Sequence, residues 1–182
     1  MGVSLVVLAY VVLPAISTAA SDQLNWRILI STGVYNYSTL LGGPLGEEPG
    51  WRGYALPRLE QRHGAVGGTL MLALLWTGWH LPLFIRPGWQ SSPLWIYLLI
   101  MTGLSLIMTY AANLTRFSLI TAVTLHAAFN TASRFLVGLF AKTQPVTSLP
   151  FELVLALCGL GVGLTLILVT RGRLAYEGPR SS

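Results

Sequence analysis

From Leu94 to Ala112 the chain carries no ionisable side chain except tyrosines. That run fits the ~17–25 mainly apolar residues that a membrane-crossing helix needs. Comparable runs, each with at most one charged side chain, occupy Val3 to Ala20, Ile28 to Leu41, Ala65 to Ile85, Phe117 to Phe140 and Phe151 to Thr170. Only 9% of the 182 residues are charged, against about 25% in soluble domains, so the chain reads as an integral membrane protein. The predicted fold class is all-α: a polytopic transmembrane helical bundle of about six hydrophobic segments, one of them broken and site-bearing. A single integral-membrane domain is expected over 1–172, with its motif core at 43–130, followed by a polar basic tail over 173–182.

The first run reads as a retained helix, because no Lys or Arg precedes it to form the positive end of a signal peptide. Ser17-Thr-Ala19 nevertheless resembles a small-residue cleavage site, and Val6 stands where a myristoylation signal needs Ser or Thr. The net charge of +5 comes mainly from arginines in short loops and the tail, which points to orientation in a bilayer and not to nucleic acid. Arg58, Arg62, Arg116, Arg171, Arg173 and Arg180 fall on one side, and Arg27, Arg86 and Lys142 on the other. The positive-inside rule then places the first side, and both termini, in the cytoplasm. A multi-pass protein of the plasma membrane is expected. Cys158 is the only cysteine, which excludes an intramolecular disulfide and a cysteine metal cage.

Against this apolar background Glu47 and Glu48 need a reason. An ionisable group at membrane depth costs at least ~2.5–3.5 kcal/mol on insertion scales, so such groups usually face a bundle interior or cavity. On a helix Glu48 and Arg52 stand at i and i+4 and can pair, whereas Glu47 points ~100° away and has no local partner. Gly42-Gly43-Pro44 is a break followed by a helix start, so both carboxylates sit in first turns, where unpaired N–H groups favour negative charge. Pro49 and Gly50 make the segment irregular, which a membrane tolerates only where protein or a water-filled cavity surrounds it. Pro57 to His63 reads as a polar connection, with His63 solvated.

Two more polar pairs lie in apolar runs, Trp76-Thr-Gly-Trp79-His80 and His126-Ala-Ala-Phe-Asn130. Taken singly, each has a bland reading. Glu48–Arg52 is a structural pair, His80 an interhelical hydrogen-bonding residue, Asn130 helix glue, and Trp51, Trp76 and Trp79 packing and pocket wall. Trp79 also reads as an interfacial anchor, with Trp89 and Trp95. Their co-occurrence has no shared structural explanation. Peptide hydrolysis needs an activated water, a proton relay and donors for an oxyanion. Glu47 and His80 can hold and deprotonate water, and His126 and Asn130, one turn apart on one face, can aim donors at one oxygen. Zinc is the other use of such a set, with Glu47, His80 and His126 as candidate ligands and an open water position. No His-Glu-x-x-His motif is present, so no cofactor is assigned and Zn2+ stays the one candidate.

Glu-Glu-x-x-x-Arg, aromatic-x-x-x-His and His-x-x-x-Asn, each in its own hydrophobic segment, with Gly43-Pro-Leu-Gly46 before the glutamates and Trp51-Arg-Gly-Tyr54 after them, resemble the CPBP family of intramembrane proteases. That family includes the type II CAAX prenyl endopeptidases. The resemblance runs from about Gly43 to Asn130 and implies catalytic roles for Glu47, His80, His126 and Asn130, supported by Glu48 and Arg52. Trp76 stands where many relatives carry Phe. The implied substrate is a peptide or protein, whether or not it carries a lipid, with membrane lipid as the surroundings. The alternative is a non-catalytic scaffold or bacteriocin self-immunity protein that binds a partner through the same cavity. A proton-coupled transporter is a third reading, disfavoured because no doubled architecture is visible.

Overall fold

The computed structural model describes Leu40 and residues 43–86, 93–140 and 149–178; the runs 3–20 and 28–39 and residues Arg27, Trp89, Lys142 and Arg180 lie outside the described residues. The element order is α1 (Pro44–Gly50), a π-helical turn (Trp51–Ala55), α2 (Leu56–Phe84), α3 (Leu94–Leu114), α4 (Leu119–Phe140) and α5 (Leu149–Val169). All described secondary structure is helical, as the apolar runs predict. Among the described residues two stretches, Leu94–Leu114 and Glu152–Val169, are long and apolar enough to cross a membrane.

Proline chemistry shapes the site-bearing helix. Pro44 occupies its start, where a missing N–H costs nothing, and Glu47 N–H closes the first turn onto the Gly43 carbonyl at 2.8 Å. Pro49 and Pro57 each withdraw one donor from the ladder. Between them the backbone widens, and Leu56 N–H reaches back to the Trp51 carbonyl, a five-residue span. Such π-turns concentrate at functional sites.

The helix then continues through 57–63, where a polar connection was expected. Pro57 sits in the first turn of α2, and Leu56 and Glu60, one turn apart, are buried while Arg58, Gln61, Arg62 and His63 are exposed. A one-sided burial of this kind suits a helix, so polarity there marks an outer face and not a loop. His63 is solvated, as expected. The break comes at Gly64, with φ 70° and ψ 173°, a conformation that suits glycine. There the chain doubles back. A Cβ added at Gly68 would lie 2.8 Å from Glu60 N and Leu59 C, so 65–84 packs against 56–63, and Leu72 shares a core cluster with Leu56 and Ala112.

Helix α3 is the most enclosed element, and it crosses α5 at bare backbone: a Cβ at Gly103 would meet Gly159 C at 2.6 Å. One turn on, a Cβ at Gly163 would meet the Leu106 side chain, while Gly161 faces open space. Small residues one turn apart therefore let α3 and α5 approach closely. Thr69 of α2 donates to Thr109 of α3 at 3.1 Å.

The first arm of α2, the end of α3 and the tail meet at one end of the bundle. Asn113 Nδ2 donates to Glu60 Oε1 at 2.8 Å and to the Leu174 carbonyl at 3.0 Å. Leu174 is fully buried beside Ala65 and Leu106, so the described part of the tail packs onto the bundle. Burial pushes the Glu60 carboxyl up to about 7, against the opposing effect of the Asn113 hydrogen bond. A carboxyl with a raised folded pKa binds more protons folded than unfolded between about 4.5 and about 7. Its contribution to stability is therefore present at low pH and lost as pH rises through that window. Thermal unfolding of the purified protein followed from pH 5 to pH 8 should show this decline, and Glu60→Gln should flatten it. An unchanged slope in that variant would remove Glu60 as its source.

Candidate active site

Glu48 is wholly buried, and its charge is met from two helices. Oε1 accepts from Arg52 Nη1 at 3.0 Å, one turn along, and from His126 Nδ1 of α4 at 2.7 Å. The Glu48–Arg52 pair expected from spacing is present, and the histidine contact is an addition that spacing could not give. Arg52 is equally buried; its Nε and Nη2 make no hydrogen bond among the described residues. Its guanidinium instead lies over the Trp76 ring, 4.1 Å from the centroid, a cation–π contact that gains strength with desolvation.

Glu47, half-buried, is held by a residue 29 positions away. Trp76 Nε1–H donates to Glu47 Oε2 at 2.6 Å. Trp76 is 1% exposed and sits in a cluster with Met101, Leu104, Met108 and Ala122, with Trp51 packed against it. The His126 ring meets it edge-on at 5.1 Å and the Trp51 ring lies 6.5 Å away. Read from sequence, Trp76 is packing and pocket wall; the structure adds a hydrogen-bond donor in contact with a motif glutamate. The available signal was the indole N–H that a Phe at that position would lack.

His80, on the same helix as Trp76, engages the Trp76 carbonyl through Nδ1 at 2.8 Å. A carbonyl only accepts, so neutral His80 carries its proton on Nδ1 and its acceptor nitrogen is Nε2. The same logic applies at His126, whose Nδ1 faces a carboxylate oxygen. Asn130 follows His126 by one turn of α4, half-buried, and its amide makes no hydrogen bond to another described residue. Trp79 is 64% exposed and takes no part in the ring contacts around Trp76. The structure thus brings Glu47, Glu48, Arg52, His80, His126 and Trp51 around one indole and leaves Trp79 on the outer surface.

A zinc site needs three ligands of the His, Cys, Asp and Glu class and an open position. Among the described residues no three such side chains gather closely enough to hold a metal ion.

Described residues that are helical throughout their secondary structure, with paired glutamates, an arginine one turn on, and histidines from two further helices, define a class. Residues 29–132 match the model of the type II CAAX prenyl endopeptidase Rce1-like family. That is more than half of the chain and contains every residue of the cluster, so this chain belongs to that family, within the CPBP proteases, and shares its membrane character. A curated relative, CAAX prenyl protease 2 of Methanococcus maripaludis, is 29% identical over 92 residues, covering 46% of this chain and 34% of the relative. The chain thus spans about a third of the length of that relative. No solved structure matches.

Removing one partner of a buried ion pair strands the other, at roughly 3–5 kcal/mol. Arg52→Ala should therefore lower unfolding stability by about that amount, with His126 offsetting part of it, and Glu48→Gln combined with Arg52→Gln should recover much of the loss. Denaturation in detergent reads both. An Arg52→Ala protein as stable as the wild type, but inactive, would move Arg52 to the substrate side of the site.

Proposed function

We propose that the chain is an intramembrane endopeptidase that hydrolyses a peptide bond near the membrane surface with water activated by glutamate and histidine. The observation that carries this reading is the convergence of Glu47, His80, His126 and the Glu48–Arg52 pair on Trp76, in a chain that belongs to the family. Glu47 takes a proton from water as its oxygen bonds to the scissile carbonyl carbon. His80 supplies Nε2 as a second acceptor for that water, because its Nδ1 proton is committed to the Trp76 carbonyl. The carbonyl oxygen becomes an oxyanion, and Asn130 Nδ2 and His126 Nε2 are its donors. With Nδ1–H directed at Glu48, His126 can donate from Nε2 only as imidazolium, and the Glu48 carboxylate stands beside it as the countercharge. The proton held by Glu47 passes to the departing amine nitrogen as the C–N bond breaks.

The substrate is a peptide or protein. The relative's name points to a CAAX carboxyl-terminal peptide, so prenylated and unprenylated forms of such a peptide are the probes. Purified protein should cleave at least one in detergent, and Glu47→Gln should abolish cleavage while the protein stays folded. A scaffold or bacteriocin-immunity protein would cleave neither, and its cellular phenotype would survive that substitution.

The membrane arrangement proposed with this activity is multi-pass, about six crossings in the plasma membrane, with both termini cytoplasmic. It is supported by the meeting of Glu60, Asn113 and Leu174, which puts the basic segments around Arg58 and Arg62, Arg116, and Arg171 and Arg173 at one end of the bundle. Cysteines introduced at positions 62 and 173 should react with an impermeant thiol reagent only from the cytoplasmic face; labelling from opposite faces would overturn the arrangement.

If His126 and Asn130 are oxyanion donors, they act mainly in the transition state. Asn130→Ala should lower kcat by about 10²–10³-fold with little change in KM. Elemental analysis of the wild type and of His126→Ala provides the opposing test. Stoichiometric zinc that vanishes with His126 would replace the oxyanion assignment by a metal site.

A further inference from the structure

We infer that Trp76 is a positioning residue, whose indole N–H fixes the Glu47 carboxylate so that Oε1 is the oxygen presented to water. The inference rests on the reading of Glu47 as the base. A glutamate has three rotatable side-chain bonds, and Glu47 is only half-buried, so packing alone does not hold its carboxylate. The Nε1–Oε2 hydrogen bond at 2.6 Å does, and a hydrogen bond to an ionised acceptor is shorter and stronger than a neutral one.

The donor itself cannot wander. Trp76 is 1% exposed, with Arg52 over its face at 4.1 Å and the His126 ring against it at 5.1 Å. Arg52 and His126 are in turn both anchored to Glu48 Oε1. Glu48 thus governs the placement of Glu47 through the indole, although the two side chains leave the helix ~100° apart. The guanidinium draws electron density from the ring and makes the N–H a better donor, which gives the buried cation a second use. A purely structural Trp76 would need its shape and not its hydrogen atom on nitrogen.

Benzothienylalanine separates the two, since it replaces the indole N–H by sulfur and keeps the bicyclic outline. Incorporated at position 76 of the full chain, it should leave the melting temperature and KM near wild type and lower kcat by about 10²-fold, the usual consequence of a misplaced reacting group. Trp76→Phe should lose at least as much kcat. In ¹⁵N-labelled protein, the Trp76 indole N–H resonance should stand downfield and move upfield in Glu47→Gln. Wild-type kcat in the benzothienylalanine protein, with Glu47→Gln inactive, would overturn the positioning role and leave the base intact. An active Glu47→Gln protein would instead remove the base reading itself, whatever the indole resonance does.

Discussion

A carboxylate with no solvent exposure, Glu48, sets the terms for the rest of this bundle. Its desolvation is tolerable only if cations reach it, and one, Arg52, is supplied one turn along the same helix. The second contact comes from His126 of α4, 78 residues later in the chain. That contact fixes where α4 packs against α1. The same arginine cannot be satisfied by one carboxylate oxygen, and it takes the face of Trp76 as well. Three segments are thereby held around one negative charge, and the half-buried Glu47 is left at their edge.

The reversal at Gly64 is the second requirement. Trp76 can reach Glu47 only because 65–84 runs back along the helix that bears the glutamates. Leu56 against Leu72, and Gly68 against the backbone of Leu59 and Glu60, are the contacts that keep the two arms together. The polar end at Glu60, Asn113 and Leu174 closes the turn side of this hairpin. The cluster around Trp76 lies further along the same arms.

Much of this was legible in the sequence. The all-helical class followed from uncharged runs, and the Glu48–Arg52 pair from i, i+4 spacing. Those are local properties, carried by the helix itself. The helix through 57–63 was misread because a cluster of charges between two apolar runs looks like a loop when only composition is weighed, and the burial of Glu60 is set by Asn113, 53 residues away. The Glu48–His126 and Glu47–Trp76 contacts depend on how distant segments pack, and no local spacing encodes that. Trp79 illustrates the converse. It stands one position before His80, so a helix must turn it ~100° away from that histidine, and it emerges on the outer surface.

The π-turn at Trp51–Ala55 works as a spacer of phase. It takes in one residue more than an α-turn would, so Leu56 and Glu60 meet the core at an azimuth offset from the one that Glu47 and Glu48 would dictate along an unbroken α-helix. The acidic dipeptide and the hairpin arm can therefore each keep their own facing. A lineage that lost a single residue between Pro49 and Pro57 would have to choose between a buried Leu56 and a correctly aimed pair of glutamates. The length of this short segment is thus under stricter geometric constraint than the identity of its exposed member Tyr54.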